Sequence, residues 1–359
     1  MEGLAMNPSF WKNKRVLITG HTGFKGAWLS LWLERLGAEV HGVSLPPKDS
    51  PNLFEKASIH SVLSHHCLDI RNREQLGQLL TRIQPEIVFH LAAQSLVRYS
   101  YENPLETYET NVIGTLNVLE AVRAAGSVRQ AIIITTDKVY ENHERDAGYK
   151  EHEPLGGHDP YSSSKACAEL LVSSYRRSFF PDSLFDQHKM SIASVRAGNV
   201  IGGGDWAKDR LIPDFVRAIE SGSDIVIRNP SAVRPWQHVL DALSGYLALT
   251  EAMSTQPGFA GAWNFGPAEN DARPVRWIVE KMISLSGKQV SWSQDGGEHP
   301  HEAGYLRLDC RKANEELDWQ PTWSLDSALE KVVEWHLADA SGRDARETSI
   351  KQIEDYMNA

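Results

Sequence analysis

Short apolar runs alternate with longer amphipathic segments along the first half of the chain. Six of these runs are too short for helices and consist mostly of apolar residues, which predicts buried strands. The predicted strands are 15–19, 40–44, a stretch within 62–69, 87–91, 131–135 and 191–196. Helices are predicted at 27–36, 108–125 and 162–180, the last two from apolar residues spaced i, i+3, i+4, i+7. This alternation predicts an α/β fold with a Rossmann-type, doubly wound parallel sheet.

The alternation ends near residue 200, where mixed segments with Gly, Pro and Trp begin. We predict a Rossmann domain over 1–198 and a smaller mixed α/β C-terminal domain over 199–359, with some segments interleaved with the first. The second domain would bind the substrate and close over the carboxyl ends of the strands, where doubly wound folds keep their ligands.

The overall composition argues against several classes of protein. A net charge of −10 over 359 residues argues against a nucleic-acid surface, which needs clustered Lys and Arg. Cys67, Cys167 and Cys310 are too far apart for a disulfide framework or a metal motif, so each is interpreted as a small buried hydrophobe. The first residues lack a signal-peptide pattern, and no apolar run approaches the roughly 20 residues that cross a bilayer. We therefore expect a cytoplasmic protein with neither a membrane nor a nucleic acid as partner.

A glycine-rich turn joins the first predicted strand to the helix after it. Glycines here allow a tight turn and let backbone N–H groups approach a pyrophosphate at a helix N-terminus. The spacing is GxxGxxG rather than GxGxxG, and its position between strand and helix favours a dinucleotide site. The candidate cofactor-binding residues of this turn are Gly20, Thr22, Gly23, Phe24, Lys25 and Gly26.

Three further strand ends are predicted to contribute to this site. The second strand ends at Ser44 with neither a carboxylate nor an arginine, so the choice between NAD and NADP stays open at this position. Asp69 and Ile70 follow the third strand and could reach an adenine edge. The residues after the fourth strand are Leu91, Ala92 and Ala93, which permit close approach of a cofactor, and Gln94 and Ser95, predicted to contact the substrate.

Tyr161 and Lys165 lie four residues apart at the start of a predicted helix, so they share a face. A nearby ammonium stabilises a phenolate, and we expect Lys165 to lower the pKa of Tyr161 toward working pH. Tyr161 could then accept the proton of a substrate hydroxyl while hydride leaves the same carbon. This pair predicts a nicotinamide-dependent oxidoreductase step.

Thr136, Asp137 and Lys138 follow the fifth strand, at the edge where doubly wound folds carry their chemistry. Asp137 could protonate a departing hydroxyl. Lys138 could remove a carbon-bound proton if neutral, or stabilise an enolate if charged. An acid beside an oxidoreductase pair indicates that a second bond is broken while the oxidised substrate lasts, which favours dehydration.

At these residues the chain resembles the extended short-chain dehydrogenase/reductase family, and within it the nucleotide-sugar 4,6-dehydratases. The resemblance also covers His90-Leu-Ala-Ala, Arg196-x-x-Asn199 and Arg234-Pro-Trp-Gln-His-Val. Relatives usually show Thr-Asp-Glu after the fifth strand. The Thr-Asp-Lys variant and Gly-His-Thr-Gly-Phe-Lys-Gly resemble the members that act on CDP-glucose.

The resemblance implies NAD as cofactor and a nucleotide-sugar substrate. Oxidation at sugar C4, loss of water across C5–C6 and return of hydride to C6 would follow one another within one turnover. Tyr161 becomes the base for the C4 hydroxyl, Thr136 its hydrogen-bond partner, Lys165 the ribose-binding and pKa-tuning group, and Asp137 the acid at C6. Because the family places Glu where Lys138 stands, the role of Lys138 stays open.

The resemblance further implies that Asn199 and Arg234 hold the substrate diphosphate, a task suited to a guanidinium. It also implies a homodimer in which helices 108–125 and 162–180 pair with those of a second copy in a four-helix bundle, and a role in dideoxysugar and lipopolysaccharide biosynthesis. Relatives carry another arginine where this chain has His299-Pro-His-Glu302. Two histidines without further ligands do not make a metal site, so no metal is expected.

Three alternatives remain at this point. The same Tyr/Lys pair serves nucleotide-sugar 4-epimerases, which need no acid for elimination. A dehydratase for a dTDP-, UDP- or GDP-linked sugar differs only in base recognition. A binding module with inactive chemistry is disfavoured because Thr136, Asp137, Tyr161 and Lys165 are all present.

Overall fold

The computed structural model describes residues 7–48, 50–297 and 303–359. The strands are β1 (Arg15–Thr19), β2 (Glu39–Ser44), β3 (Ser64–Cys67), β4 (Ile87–His90), β5 (Gln130–Ile134), β6 (Ser191–Ala197), β7 (Asn199–Ile201), β8 (Ile225–Ile227), β9 (Val233–His238), β10 (Gly261–Phe265), β11 (Ala272–Pro274) and β12 (Trp292–Gln294). The helices are α1 (Pro8–Trp11), α2 (Phe24–Arg35), α3 (Leu53–Lys56), α4 (Arg73–Ile83), α5 (Val97–Glu102), α6 (Pro104–Tyr108), α7 (Gly114–Ala125), α8 (Pro160–Phe179), α9 (Phe185–His188), α10 (Leu211–Ser221), α11 (Val239–Thr255), α12 (Val275–Ser286), α13 (Arg311–Leu317), α14 (Leu325–Ala340) and α15 (Ala345–Met357).

Seven parallel strands form the main sheet, in the order β10-β6-β5-β4-β1-β2-β3. Strands β4, β5 and β6 are buried along their whole length, as expected for a parallel sheet covered on both faces. Neighbouring residues of β1 face opposite layers: Val16 and Ile18 pack with α2 and α11, whereas Leu17 packs with α4, α7 and α8. The predicted Rossmann-type fold is confirmed.

The seventh strand comes from the second half of the chain. After β6 the chain leaves the sheet, passes through β7 to β9, and returns along α11 to form β10, where Gly261 pairs with Ala193 of β6. The sequence analysis missed β10 because Gly-Ala-Trp-Asn-Phe shows neither a β-branched run nor a clear alternation.

A smaller mixed α/β region lies beyond the carboxyl ends of the main strands. It contains a three-stranded sheet, β11-β9-β7, and a two-stranded sheet, β12-β8. Helices α10, α12 and α14 pack with these strands around a separate apolar core that includes Phe215, Ile278 and Leu329. A smaller, irregular region of this kind is what the mixed segments after residue 200 predicted.

The predicted helix 108–125 differs from the observed one in one detail. Helix α6 begins earlier, at Pro104, and is joined to α7 by one wide helical turn, Glu109–Ile113. Such π-type turns often occur at functional sites. Here the turn directs the buried side chain of Asn111 at the loop after β4, where it bonds the backbone N–H and C=O of Gln94, both at 2.9 Å.

One cysteine prediction was wrong. Cys67 is exposed, because it ends β3, the edge strand of the sheet. Cys167 and Cys310 are partly buried.

None of the helices formed by the described residues is both long and apolar enough to span a membrane.

Candidate active site

A cavity of about 1070 Å³ opens at the carboxyl ends of the main strands. One wall consists of residues that follow β1, β2, β4, β5 and β6, and the opposite wall comes from the smaller region, including Arg210, Ile225 and Arg234. Ligand pockets usually measure about 300–1,000 Å³. This cavity therefore lies at the upper end of the usual size of a ligand pocket.

The glycine turn after β1 forms one end of the cavity. Gly20 has φ +79°, and a Cβ there would stand 2.6 Å from Ala92 N; a Cβ at Gly26 would stand 2.3 Å from Gly20 O. Gly23 precedes α2 with no side-chain cap, so the first N–H groups of that helix are available to an anion. Thr22, Gly23, Phe24, Lys25 and Gly26 all line the cavity. The turn therefore fits a dinucleotide pyrophosphate.

Two predicted cofactor contacts at the next strand ends already have partners within the protein. Ser44 Oγ lies 2.6 Å from Thr22 Oγ1. Asp69 accepts hydrogen bonds from Arg71 Nε and Nη2 at 3.0 and 2.7 Å, and these bonds lower the pKa of Asp69. Ser44, Asp69 and the buried Ile70 all line the cavity.

The loop after β4 lies between the glycine turn and the smaller region. Leu91, Ala92, Ala93, Gln94 and Ser95 line the cavity. The Gln94 amide is held within the protein, because Oε1 accepts from Leu96 N at 2.6 Å and Nε2 donates to Thr107 Oγ1 at 2.9 Å. The structure thus places Gln94 at the site but shows its side chain holding the loop.

Tyr161 enters the site from the first turn of α8. Asp159 caps this helix by accepting from Ser162 N at 2.9 Å, and Pro160 occupies the first helical position. Lys165 follows one turn later, on the same face, and both residues are buried and line the cavity.

The prediction that Lys165 lowers the pKa of Tyr161 was wrong for this structure. Burial raises the pKa of Tyr161 to about 12, and a hydrogen bond with Thr136 opposes that shift. The Lys165 ammonium instead donates to Ile134 O at 3.0 Å, and burial lowers the pKa of Lys165 to about 8. Desolvation of the phenolate outweighs the opposing effects of Thr136 and Arg210.

Thr136, Asp137 and Lys138 form the turn that follows β5. Thr136 and Lys138 line the cavity, whereas Asp137 is fully buried beside them. Asp137 Oδ1 accepts from Thr136 Oγ1 at 3.0 Å and lies 3.5 Å from Lys138 Nζ. Asp137 Oδ2 has no hydrogen-bond partner among the described residues. One oxygen of this carboxyl group is therefore held in place, and the other can still form a hydrogen bond.

Arg234 and Asn199, predicted to hold a diphosphate, lie on β9 and β7 and line the cavity. Arg234 is buried and donates to Ala303 O. The sequence analysis missed Arg210, whose Nη1 donates to Asp205 Oδ2 and Nη2 to Ser95 Oγ, both at 3.0 Å. The only sequence signal was its place between a polar loop and an amphipathic helix.

Lys25 is a cation within the glycine turn. Burial lowers its pKa to about 7, with further lowering by the cations Arg210, Lys165 and Lys138, while Asp137 opposes the shift. The side chain is thus electrostatically coupled to both the Thr136 turn and the arginine of the opposite wall.

Among residues 7–48, 50–297 and 303–359, no three or more His, Cys, Asp or Glu side chains are arranged to hold a metal ion. His299 and His301 lie outside the described residues.

The chain is similar in sequence to known proteins over nearly its whole length. A model of the family described as GDP-mannose 4,6 dehydratase matches residues 17–332. A CDP-glucose 4,6-dehydratase of Salmonella typhimurium (strain LT2) is 52% identical over 355 residues, which cover 99% of this chain and 99% of that protein.

Solved structures show the same fold in two kinds of enzyme. The dTDP-glucose 4,6-dehydratase DesIV of Streptomyces venezuelae, solved with NAD bound, gives a TM-score of 0.77 at 23% identity, covering 92% of this chain and 99% of that one. A UDP-glucose 4-epimerase of Thermotoga maritima, solved with UDP-glucose, also gives 0.77, at 22% identity and coverages of 91% and 99%. The fold alone therefore does not separate dehydration from epimerisation.

Proposed function

Because the chain belongs to the GDP-mannose 4,6 dehydratase family, we propose that it is an NAD-dependent hydro-lyase that converts CDP-D-glucose to CDP-4-keto-6-deoxyglucose. The observation that carries the proposal is the 52% identity to a CDP-glucose 4,6-dehydratase over nearly the full length of both chains. The glycine turn, whose close approaches leave no room for a Cβ, supports a dinucleotide as cofactor.

The cofactor would be held by the glycine turn and by the residues after β2, β3 and β4. NAD⁺, when bound, supplies a hydride acceptor for sugar C4 and a hydride donor for C6. The chain's own residues move the protons. We assign Tyr161, in its phenolate form, as the group that takes the C4 hydroxyl proton, with Thr136 as its hydrogen-bond partner, supported by their contact in the cavity wall.

We assign Asp137, in its protonated form, as the acid that protonates the departing C6 hydroxyl. Its Oδ2 has no partner among the described residues, and the Thr136 hydrogen bond fixes its other oxygen. Lys138 lines the cavity with its Nζ 3.5 Å from Asp137 Oδ1, which supports assigning it to stabilise the enolate that forms as the C5 proton passes to solvent. Lys138→Arg should then keep most exchange of the C5 proton with solvent, whereas Lys138→Ala should lose it. Loss of exchange in both variants would make Lys138 the base.

Substrate choice is tested by incubating the protein with NAD⁺ and CDP-, dTDP-, UDP- and GDP-glucose in turn. The keto-deoxysugar product should form fastest from CDP-glucose. A deuterium label at C4 should reappear at C6 of the same molecule, without net accumulation of NADH. Faster turnover of another nucleotide sugar would refute the substrate, and a C4-epimerised product would favour an epimerase.

We further propose a homodimer through α6, α7 and α8, as the family resemblance implies. These helices and the wide turn between α6 and α7 expose large apolar side chains, namely Leu105 (71%), Leu170 (60%) and Ile113 (48%). Helices α6 and α8 pack against each other, which supports one continuous apolar face. Light scattering should show a dimer at micromolar concentration that Leu170→Glu disrupts. The control Leu337→Glu, at an exposed leucine of α14, should remain dimeric, and a monomeric wild type would refute the proposal.

A cytoplasmic location and a supply of deoxysugars for surface polysaccharides also belong to this proposal. Both rest on the family resemblance, and cell fractionation would test the first.

A further inference from the structure

Glu169 and Arg196 form a buried ion pair that the proposed mechanism does not use. Each side chain is 3% exposed, and Arg196 Nε and Nη2 donate to the carboxylate at 3.0 and 2.7 Å. Burial by itself raises the pKa of Glu169, but Arg196 and hydrogen bonds from Ser194 and Thr135 lower it below its usual value. Buried ion pairs contribute little net stability, because desolvation offsets their attraction. The Glu169–Arg196 pair is therefore expected to have a role other than stabilising the fold.

Two contacts connect this pair to the two ends of the turn that carries Asp137. Before the turn, Thr135 Oγ1 donates to Glu169 Oε1 at 2.5 Å. After it, Arg196 Nη1 donates to the hydroxyl of Tyr140 at 2.8 Å, which in turn donates to an amide oxygen on β10 at 2.7 Å. The turn is thus anchored on both sides to one buried pair of charges.

Glu169 also acts on Lys165, which stands one helical turn earlier on the same face of α8. Burial lowers the pKa of Lys165, and the Glu169 carboxylate opposes this shift. The other titratable groups coupled to Lys165 are Lys25 of α2 and His90 of β4, and Tyr161 shares its helix face. Burial disfavours the charged ammonium of Lys165, and Glu169 is the anion that counteracts it.

We propose that Glu169 and Arg196 are positioning residues for the dehydration. The pair holds the turn 136–139 against α8, and its carboxylate keeps Lys165 charged. This inference rests on the proposed function, because the dehydratase reaction is its assay.

The first test is Glu169→Gln, which keeps the shape of the side chain and removes its charge. The alkaline limb of the kcat/KM profile should move to lower pH by about one unit, because Lys165 loses its proton more readily without the carboxylate. In this variant the positive charge of Arg196 would no longer be neutralised by Glu169, and it too would favour loss of the proton from Lys165. The matched control is Glu251→Gln, a buried carboxylate that accepts from Trp11 Nε1 at 2.6 Å and belongs to neither wall of the cavity. It should leave the profile unmoved.

The second test keeps both charges and removes one anchor. Tyr140→Phe deletes the hydroxyl between Arg196 and β10, and kcat should fall roughly tenfold or more, because small displacements of catalytic groups are costly. Its pH profile should stay in place, which separates anchoring from the effect of charge. Thr135→Val tests the anchor at the other end in the same way.

The outcomes separate this inference from the function on which it rests. A wild-type protein without dehydratase activity would count against the proposed function. An active wild type together with a folded Glu169→Gln variant of unchanged pH profile would overturn the positioning role. If Glu169→Gln does not fold, wild-type kcat in both Tyr140→Phe and Thr135→Val would overturn it instead.

Discussion

Asp137 and Tyr161 are expected to control separable steps. Asp137→Asn removes the proton donor for the C6 hydroxyl and keeps the shape, so overall turnover should fall roughly 10²–10⁴-fold, the usual worth of general acid–base catalysis. Oxidation at C4 does not need this acid, and a single turnover should still produce enzyme-bound NADH. Tyr161→Phe should lose that signal. Stopped-flow absorbance measures both, and normal water elimination in Asp137→Asn would make the carboxylate structural.

Lys25 predicts that ligand binding takes up a proton. The pKa of Lys25 is lowered to about 7, so the amine is largely neutral at pH 8. A bound pyrophosphate favours the charged form, and NAD⁺ binding should take up as much as about one proton per site at that pH. Calorimetry in buffers of different ionisation enthalpy measures this uptake. It should vanish in Lys25→Met and persist in Lys48→Met, an exposed lysine at the cavity rim. Equal uptake in both variants would contradict the prediction.

Residues in short local motifs could be predicted from the sequence, because the motif itself fixes their geometry. Tyr161 and Lys165 share a helix face by spacing alone, and Thr136 follows a strand that its neighbours identify. Arg210 and Asn111 could not be found in this way, since each reaches the site only through the packing of distant segments. The pKa of Tyr161 depends on burial, which the local sequence does not determine.

At the level of elements, the wide turn between α6 and α7 is expected to govern the loop after β4. Asn111→Ala would leave the partly buried N–H and C=O of Gln94 without their partner, at a cost of about 1–3 kcal/mol. The loop lines the cavity, so the dissociation constant of NAD⁺ should rise as well. Thr250→Val, at a buried hydroxyl of α11 that donates to Tyr246 O of the same helix, should leave NAD⁺ binding unchanged. Thermal unfolding measures the loss of stability, and titration calorimetry measures NAD⁺ binding. Unchanged NAD⁺ binding in Asn111→Ala would contradict the expected rise in the dissociation constant.

Strands with apolar runs were predictable, whereas β10 was not. A central parallel strand needs apolar neighbours on both faces, and the runs at 87–91 and 131–135 supply them. In β10, Trp263 and Phe265 pack in the core, whereas Asn264 accepts a hydrogen bond from Tyr140. This polar residue interrupts the apolar pattern that would have indicated a strand. The sequence of five residues carries no sign of that partner.

At the scale of the whole molecule, Asp241 is expected to make stability depend on pH. This fully buried carboxyl of α11 accepts from Tyr356 of α15 at 2.8 Å and from Thr322 N at 2.7 Å, and burial raises its pKa to about 6. The folded protein therefore binds the proton more tightly than the unfolded chain. Its contribution to stability is largest below about pH 4 and is lost as pH rises through 6.

Asp241→Asn should remove this loss and raise the free energy of unfolding at pH 8 by as much as about 3 kcal/mol. Urea unfolding between pH 4 and 8 measures it. The control Glu330→Gln, at an exposed position of α14, should keep the wild-type pH dependence. A variant at position 241 with the same pH dependence as wild type would show that the carboxyl does not titrate in this range.

The late return of the chain to form β10 also has a consequence for biosynthesis. While the ribosome has released only the segment up to β6, that strand is a bare edge of seven residues that are buried in the folded protein, with its N–H and C=O groups unpaired along one side. Such an edge invites pairing with other nascent chains. It becomes covered only when residue 265 has emerged, so a chain stalled or cut before that point should aggregate or be bound by chaperones.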